Sequence, residues 1–179
     1  MAFKKRKQRT YDEAALYEYA IGALGRRMRT VAEIKRLMRE RVRLQEDGDA
    51  LIENVVSRLK DQKYLNDANY AATYSNFRKE NEKFGRNRVV QDLKSRGVHG
   101  DVINTAIANA YDETNEEQLA RDFLTRKRLK KPTNQKEAAR VFRTLARAGH
   151  STRVIVRILK KWDVEDEVLT ELESEANNQ

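Results

Sequence analysis

The side chains with chemistry to offer in this sequence are cationic. Residues 26–43 hold eight basic residues and two acidic ones, with Arg26, Arg27 and Arg29 crowded together and Lys35, Arg36 and Arg39 following. Residues 121–131 hold six basic and one acidic, among them Arg126, Lys127, Arg128, Lys130 and Lys131. From 140 to 161 stand Arg140, Arg143, Arg147, Arg153, Arg157, Lys160 and Lys161, with no acidic residue between them. Cations at this density attract phosphate by releasing its counterions, and steer polyanions from a distance. Any one charged stretch could be a solvated helix face. The total is harder to treat that way. All seven residues that carry charge after Trp162 are acidic, which leaves 37 basic and 21 acidic residues, a formal +16, in residues 1–162.

Other chemistries lack their residues. The chain has no Cys, so thiolate nucleophiles, disulfides and Cys-based zinc sites are excluded. Two His do not build a typical structural zinc site. Neither a Gly-x-x-x-x-Gly-Lys phosphate loop nor a Gly-x-Ser-x-Gly elbow is present. His99 and His150 each lie close behind a glycine, which suits a turn role better than catalysis. The expectation is a binding protein, with no catalytic residue, no metal and no cofactor. The longest uncharged stretches, 68–77 and 102–111, have ten residues each. A spanning helix needs about 20, so no membrane segment is expected. The basic N-terminus is followed by no apolar run, so a bacterial-type cytoplasm is the expected setting.

The elements that must carry these cations read as helices. One Pro and seven Gly are too few for an all-β fold with its many turns. Leu16, Tyr19, Ala20, Ala23 and Leu24 follow helical spacing, as do Val31, Ile34, Leu37 and Met38 behind a capping box at Thr30-Val-Ala-Glu33. Leu51, Ile52, Val55, Val56 and Leu59 mark a third helix after a break at Gly48. The order then returns. Asn66 or Asp67 caps a helix with Tyr70, Ala71, Tyr74 and Phe77 inward; those aromatics could stack bases, but their spacing favours core. Gly85 breaks it, Val89, Val90 and Leu93 form the next, and Gly97 ends that one as a C′ glycine would. Asp101 caps a helix with Val102, Ile103, Ala106, Ile107 and Ala110 inward.

A third group opens with a capping box at Thr114-Asn-Glu-Glu117 and buries Leu119, Ala120, Phe123 and Leu124 before Pro132 stops the helix. Asn134 caps the next, Gly149 closes it, and Ser151 caps the last, with Val154, Ile155, Ile158, Leu159 and Trp162 inward. Placing Gly97 on Gly149, an offset of 52, also superposes five apolar positions, which marks an internal repeat. The first group needs extra residues near Arg43 to Gly48. Units of about 50 residues bury too little surface alone and should stack. The expected fold is therefore all-α, an elongated array of three tandem three-helix, helix-turn-helix-like repeats. The expected boundaries are a basic arm at 1–10, repeats at 11–62, 63–112 and 113–162, and an acidic tail at 163–179. Val164, Val168, Leu169 and Leu172 would place that tail on one more helix, which could shield the basic body.

Three blocks carry a family resemblance: YEYAIGALGRRMRTVAEIKRLMRERV, YLNDANYAATYSNFRKENEKFGRNRVVQDLKSRGV and VFRTLARAGHSTRVIVRIL. Their order resembles the RecX family of recombination regulators over residues 11–162. The middle block is the most telling, with Leu65, Asn66, Asp67, Tyr70, Ala71, Tyr74, Arg78, Gly85, Leu93, Arg96, Gly97 and Val98 where that pattern expects them. In the last repeat Ala148-Gly149-His150 stands where the family has Arg-Gly-Phe, so an aromatic anchor is replaced. The resemblance implies a non-enzymatic modulator of the RecA recombinase, built of three three-helix repeats. It would lie in the groove of the RecA–DNA filament and restrain ATPase and strand exchange. The implied partners are the RecA filament and DNA, single- or double-stranded and without sequence preference, with the protein a monomer. The basic residues named above are the candidate contacts. The alternative is a helical protein that binds DNA without RecA, with third-helix cations in a major groove. Against it, residues 102–111 carry no basic side chain. An RNA- or ribosome-associated helical protein is favoured by charge alone.

Overall fold

The computed structural model describes residues 10–177. The expected basic arm lies outside the described residues except for Thr10. All regular elements among them are α-helices: α1 (Glu13–Leu24), α2 (Val31–Val42), α3 (Gly48–Asp61), α4 (Asp67–Glu82), α5 (Arg86–Ser95), α6 (Gly100–Tyr111), α7 (Glu116–Arg126), α8 (Gln135–Arg147), α9 (Thr152–Lys160) and α10 (Asp166–Asn177). The chain is all-α, and its helices run as three successive triplets with α10 after them. The packing divides the chain into two compact units. Of the described residues, the first comprises 10–70 with 96–98, the second 71–95 with 99–177.

In the first unit α1, α2 and α3 all pack on one another. Leu16, Ala20 and Ala23 meet Ile34, Met38 and Val42, with Ile52, Val55, Val56 and Leu59 closing the core. Each set recurs at three- and four-residue intervals, so one stripe of each helix is apolar, and burying a large aliphatic side chain is worth about 1.5–3 kcal/mol. The capping box at the start of α2 is complete. The Thr30 hydroxyl accepts from the Glu33 amide at 3.1 Å and the Glu33 carboxylate accepts from the Thr30 amide at 3.3 Å. The same hydroxyl donates to the Arg96 carbonyl at 2.7 Å. Glu33 is only 5% exposed, and its second oxygen accepts from the Arg96 guanidinium at 3.0 Å and that of Arg27 at 3.5 Å. A carboxylate so buried is tolerable because it is paired. Gly97, next to Arg96, holds φ +74°, and a Cβ there would stand 2.4 Å from the Ala32 Cβ.

Both candidates for the α4 cap are used. Asn66 accepts from the Asn69 amide at 2.9 Å, capping its own helix. Asp67 accepts from the Val31 amide at 2.9 Å, satisfying an orphan donor at the start of α2.

In the second unit hydrogen bonds tie α4, α5 and α6. Tyr74 donates to Asp92 at 2.9 Å, Lys79 to the Ala110 carbonyl at 2.7 Å, and Tyr111 to the Phe84 carbonyl at 2.9 Å. Phe77, expected inward, is 53% exposed. The buried face of α4 centres on Ala71 and Ser75, and Phe77 falls at its edge. Arg78, stacked over the Tyr74 and Phe84 rings at 4.9 and 5.5 Å, takes the inner position one residue on.

Helices α7, α8, α9 and α10 share the larger core, which gathers Phe123, Leu124, Val141, Phe142, Leu145, Ile155, Ile158 and Leu159. Leu169 and Leu172 of α10 are buried in it, as the tail pattern predicts. Asn134 caps α8 through the Glu137 amide at 2.9 Å. Two other caps fall on different residues, and a third keeps its residue but not its bond. Asn115, not Thr114, caps α7, accepting from the Gln118 amide at 3.0 Å. His99 holds the cap position of α6, with Asp101 inside the first turn. Ser151 holds that of α9, but its hydroxyl reaches Glu116 at 3.2 Å instead of a backbone amide. Pro132 also lies well past the last residue of α7, in the loop before α8.

Gly149 closes α8 with φ +87°, followed by a bond from the His150 amide to the Leu145 carbonyl at 3.2 Å. Gly97 and Gly149 thus share the left-handed turn that their alignment implied. The Gly149 turn docks on the start of α5. The Gly85 amide donates to the Ala148 carbonyl at 2.8 Å and the Asn87 amide to the Gly149 carbonyl at 3.2 Å.

Candidate nucleoprotein interface

The cations named from the sequence sort by whether the fold has already given them a partner. In the first unit Arg26, Arg27 and Arg29 occupy the α1–α2 loop, while Lys35, Arg36 and Arg39 ride on α2. Arg27 reaches Glu33, and the Arg29 Nε donates to the Ala23 carbonyl at 3.2 Å. Lys35 grips both oxygens of Glu53 at 2.6 and 2.8 Å, and hydrogen bonding to that ammonium holds the Glu53 carboxyl below its ordinary range. Arg39 lies 3.6 Å from Asp49. Arg26 and Arg36 have no ion partner among the described residues.

The second cluster lies in the second unit, at the end of α7 and the loop beyond. Arg126 donates to the Asn81 carbonyl and approaches Glu82 at 3.9 Å. The Lys127 ammonium sits over the Phe123 ring at 5.8 Å. Arg128 takes φ +55° at the turn, and Lys131 pairs with Asp163 at 2.6 Å. Arg128 and Lys130 are exposed.

The third cluster divides in two. Its α9 end is neutralised by residues far away in sequence. Glu117 of α7 accepts from Lys161 at 2.7 Å and from Arg121 at 2.9 Å, with Arg157 at 3.9 Å. Those contacts, Lys161 first, hold the Glu117 carboxyl below its usual value. Lys160 pairs with Asp166 of α10 at 2.8 Å, and the bond raises the Lys160 pKa. The counter-charge missing from 140–161 is therefore supplied in space by α7 and α10.

The α8 end is different. Arg140, Arg143 and Arg147 are exposed, and none has an ion partner among the described residues. Their spacing puts them on one stripe, directly away from Ala138, Val141, Phe142 and Leu145. Lys136, four residues before Arg140, is exposed and extends the stripe to four cations over nearly the whole helix. Sequence reasoning omitted Lys136, although its i, i+4, i+7, i+11 relation to the three arginines was available. Arg153, exposed in the first turn of α9, is likewise without an ion partner among the described residues.

The support beneath this stripe is the Gly149 turn and His150. The imidazole is buried, packs edge-on against Phe123 with centroids 5.5 Å apart, and makes a hydrogen bond with the Lys83 backbone. Burial pushes its pKa down to about 4, so it is neutral at ordinary pH. His150 thus fills an aromatic position where the turn motif in the resembling family has Phe. No group of His, Asp and Glu among the described residues has the arrangement of a metal site. No helix among them is long and apolar enough to cross a membrane. What the arrangement offers is fixed positive charge on a rigid helix.

Residues 66–107 match the family description "RecX, second three-helix domain". The chain is 34% identical over 154 residues to regulatory protein RecX of Deinococcus radiodurans, covering 85% of this chain and 70% of that protein. It is 30% identical over 161 residues to regulatory protein RecX of Leuconostoc mesenteroides, covering 87% of this chain and 57% of the relative. Across the relatives at 57, 61 and 59%, the chain spans about three fifths of their length. A solved structure described as regulatory protein RecX superposes with a TM-score of 0.69 at 22% identity, covering 83% of this chain and 73% of that one. At that identity the fold is what the two share.

Proposed function

Since this chain belongs to the RecX family of regulatory proteins, we propose that it is a non-enzymatic modulator of the RecA recombinase. It binds in the groove of the RecA–DNA filament and restrains ATP hydrolysis and strand exchange. The observation that carries this reading is the α8 stripe of Lys136, Arg140, Arg143 and Arg147, four exposed cations that close no ion pair among the described residues, with Glu137 beside Arg140 the one acid on the helix. A filament presents phosphates at regular intervals, and a straight row of cations on one helix can meet several at once, gaining affinity as a multivalent contact. Arg153 extends the contact at the start of α9, and Arg26 and Arg36 are the members of the first-unit cluster without an ion pair among the described residues. The paired residues Lys35, Arg39, Arg126, Lys131, Arg157, Lys160 and Lys161 act as reserves that engage only when phosphate displaces a carboxylate.

The second reading, DNA binding without RecA through third helices, is less well supported. α6 carries no basic residue, and Arg157, Lys160 and Lys161 around α9 are already engaged by Glu117 and Asp166. The test is a titration of DNA-dependent ATP hydrolysis by RecA. Inhibition at well below one molecule per RecA subunit is the expected result. Tight, sequence-selective binding to naked duplex with no effect on RecA would replace this reading with the second.

A further inference from the structure

Four large apolar side chains stand exposed among the described residues: Met28, Leu44, Tyr64 and Phe77. Two of them, Met28 at 48% and Tyr64 at 57%, line the same groove of the first unit. The groove measures about 310 Å³. Ile21 and Leu24 from α1 and Tyr70 from α4 supply the less exposed part of its apolar wall. Apolar side chains gathered around a concavity and rimmed by polar groups are the form a docking site takes.

The rim of the groove identifies its occupant. Arg29 and Lys63 line it, no acidic residue does, and the loop that contributes Gly25, Met28 and Arg29 also carries Arg26 and Arg27. Arg29 is oriented by its bond to the Ala23 carbonyl at 3.2 Å. We propose that this groove docks an acidic segment of a partner protein, which inserts one large aliphatic or aromatic side chain between Met28 and Tyr64. Its carboxylates lie against Arg26, Arg29 and Lys63. Ile21, Leu24 and Met28 line the groove beside the rings of Tyr64 and Tyr70, so an inserted apolar side chain meets apolar surface on several sides. The site lies apart in sequence from the α8 stripe and requires neither DNA nor RecA.

The test uses two fluorescent heptapeptides, Glu-Asp-Glu-Phe-Glu-Asp-Glu and the same peptide with Ala in place of Phe. Each is titrated with the full chain by anisotropy and mapped by amide shifts of the ¹⁵N-labelled protein. The Phe peptide should bind about tenfold more tightly than the Ala peptide, the scale of burying one large apolar side chain. Shifts should centre on Ile21, Leu24, Met28 and Tyr64. The double variant Met28→Ser with Tyr64→Ser, both exposed and so compatible with folding, should bring the Phe peptide down to the affinity of the Ala peptide. Lys63→Gly, which keeps the left-handed backbone, should weaken both peptides alike. Equal affinity of the two peptides overturns the proposal, as does a shift map centred elsewhere. So does an eight-thymidine oligonucleotide that produces the same shifts and displaces the Phe peptide, since the groove would then be a nucleotide site. RecA takes no part in this assay, so its outcome is separable from that of the ATPase titration.

Discussion

Replacing Lys136, Arg140, Arg143 and Arg147 together by Gln should remove most of the salt sensitivity of filament binding while leaving the fold intact. All four side chains are exposed, on the face of α8 opposite Ala138, Val141, Phe142 and Leu145. Exposed substitutions that break no named interaction usually change stability by no more than about 0.5 kcal/mol. Each cation that neutralises a phosphate contributes about 0.7–0.9 to the slope of log K against log salt, depending on strand number. Four contacts therefore contribute about 3. Between 50 and 200 mM salt, a fourfold change, the wild type should lose about sixtyfold more affinity than the variant. Anisotropy of a labelled RecA–oligonucleotide filament, measured across that salt range, reads both slopes. A control triple, Arg157→Gln with Lys160→Gln and Lys161→Gln, removes cations already bound to Glu117 and Asp166, and should lower the slope by less than about 1. The reasoning is refuted if the quadruple variant keeps the wild-type slope, or if the triple lowers it as much as the quadruple does.

Three further outcomes concern the joints that hold these surfaces. Burial holds His150 to a pKa of about 4 in the fold against about 6.5 when unfolded, so its contribution is complete above pH 6.5 and is lost as pH falls toward 4. The total is about 3 kcal/mol, and urea melts at pH 7.5 and 4.5 should show His150→Phe flattening that dependence, whereas an unchanged dependence would mean a solvated imidazole. Gly149→Ala puts a Cβ 2.2 Å from the Arg88 amide nitrogen at φ +87°, and should cost more than about 2 kcal/mol in thermal melts. Gly22→Ala, a helical site with nothing within 4 Å, should instead stabilise by about 0.5–1 kcal/mol, and the reverse order of the two variants would contradict the turn geometry. Glu33→Gln leaves Arg96 and the half-exposed Arg27 facing a neutral amide and should destabilise by about 1–2 kcal/mol, since both guanidinium groups keep access to water. A double-mutant cycle with Arg96→Gln should return a coupling above about 1 kcal/mol, and additivity would remove the ion pair from the account.

The family-like residues of the middle block turn out to be joint residues, which is why the fold was legible from them. Arg96 pairs with buried Glu33, Gly97 makes the left-handed turn against Ala32, and Val98 is buried beside them. Asn66 and Asp67 cap two different helices. Apolar periodicity placed the helix faces for the same reason, since burial follows a 3.6-residue period wherever one stripe meets a core. Caps were less legible. Thr114 and Asp101 are cap-forming residue types, but the choice among neighbours depends on which residue leaves helical backbone first, whereas Ser151 holds the expected position and only its hydroxyl turns elsewhere. Phe77 escaped because periodicity gives the centre of a face and not its edges. Seven residues after Tyr70, it falls at the edge of the face centred on Ala71 and Ser75 and is 53% exposed.

The candidate site was legible as a sum of charge and not as a map. Lys161 and Glu117 are 44 positions apart, and Lys131 and Asp163 are 32 apart, so no window along the chain could show that they meet. An ammonium 2.7 Å from a carboxylate is not free in the sense that matters for binding. Phosphate must compete with a partner already in place, and the net gain is the difference between two similar interactions. The acid-free stretch from 140 to 161 was thus the right region for a partly wrong reason. Its α9 end lacks local acids because its acids arrive from α7 and α10, while at its α8 end Glu137 is the one acid of the helix, acting on Arg140 without closing an ion pair. Subtracting the paired cations of 140–161 leaves the α8 arginines and Arg153, and the residue that completes the α8 stripe, Lys136, lies just outside the window that composition had drawn.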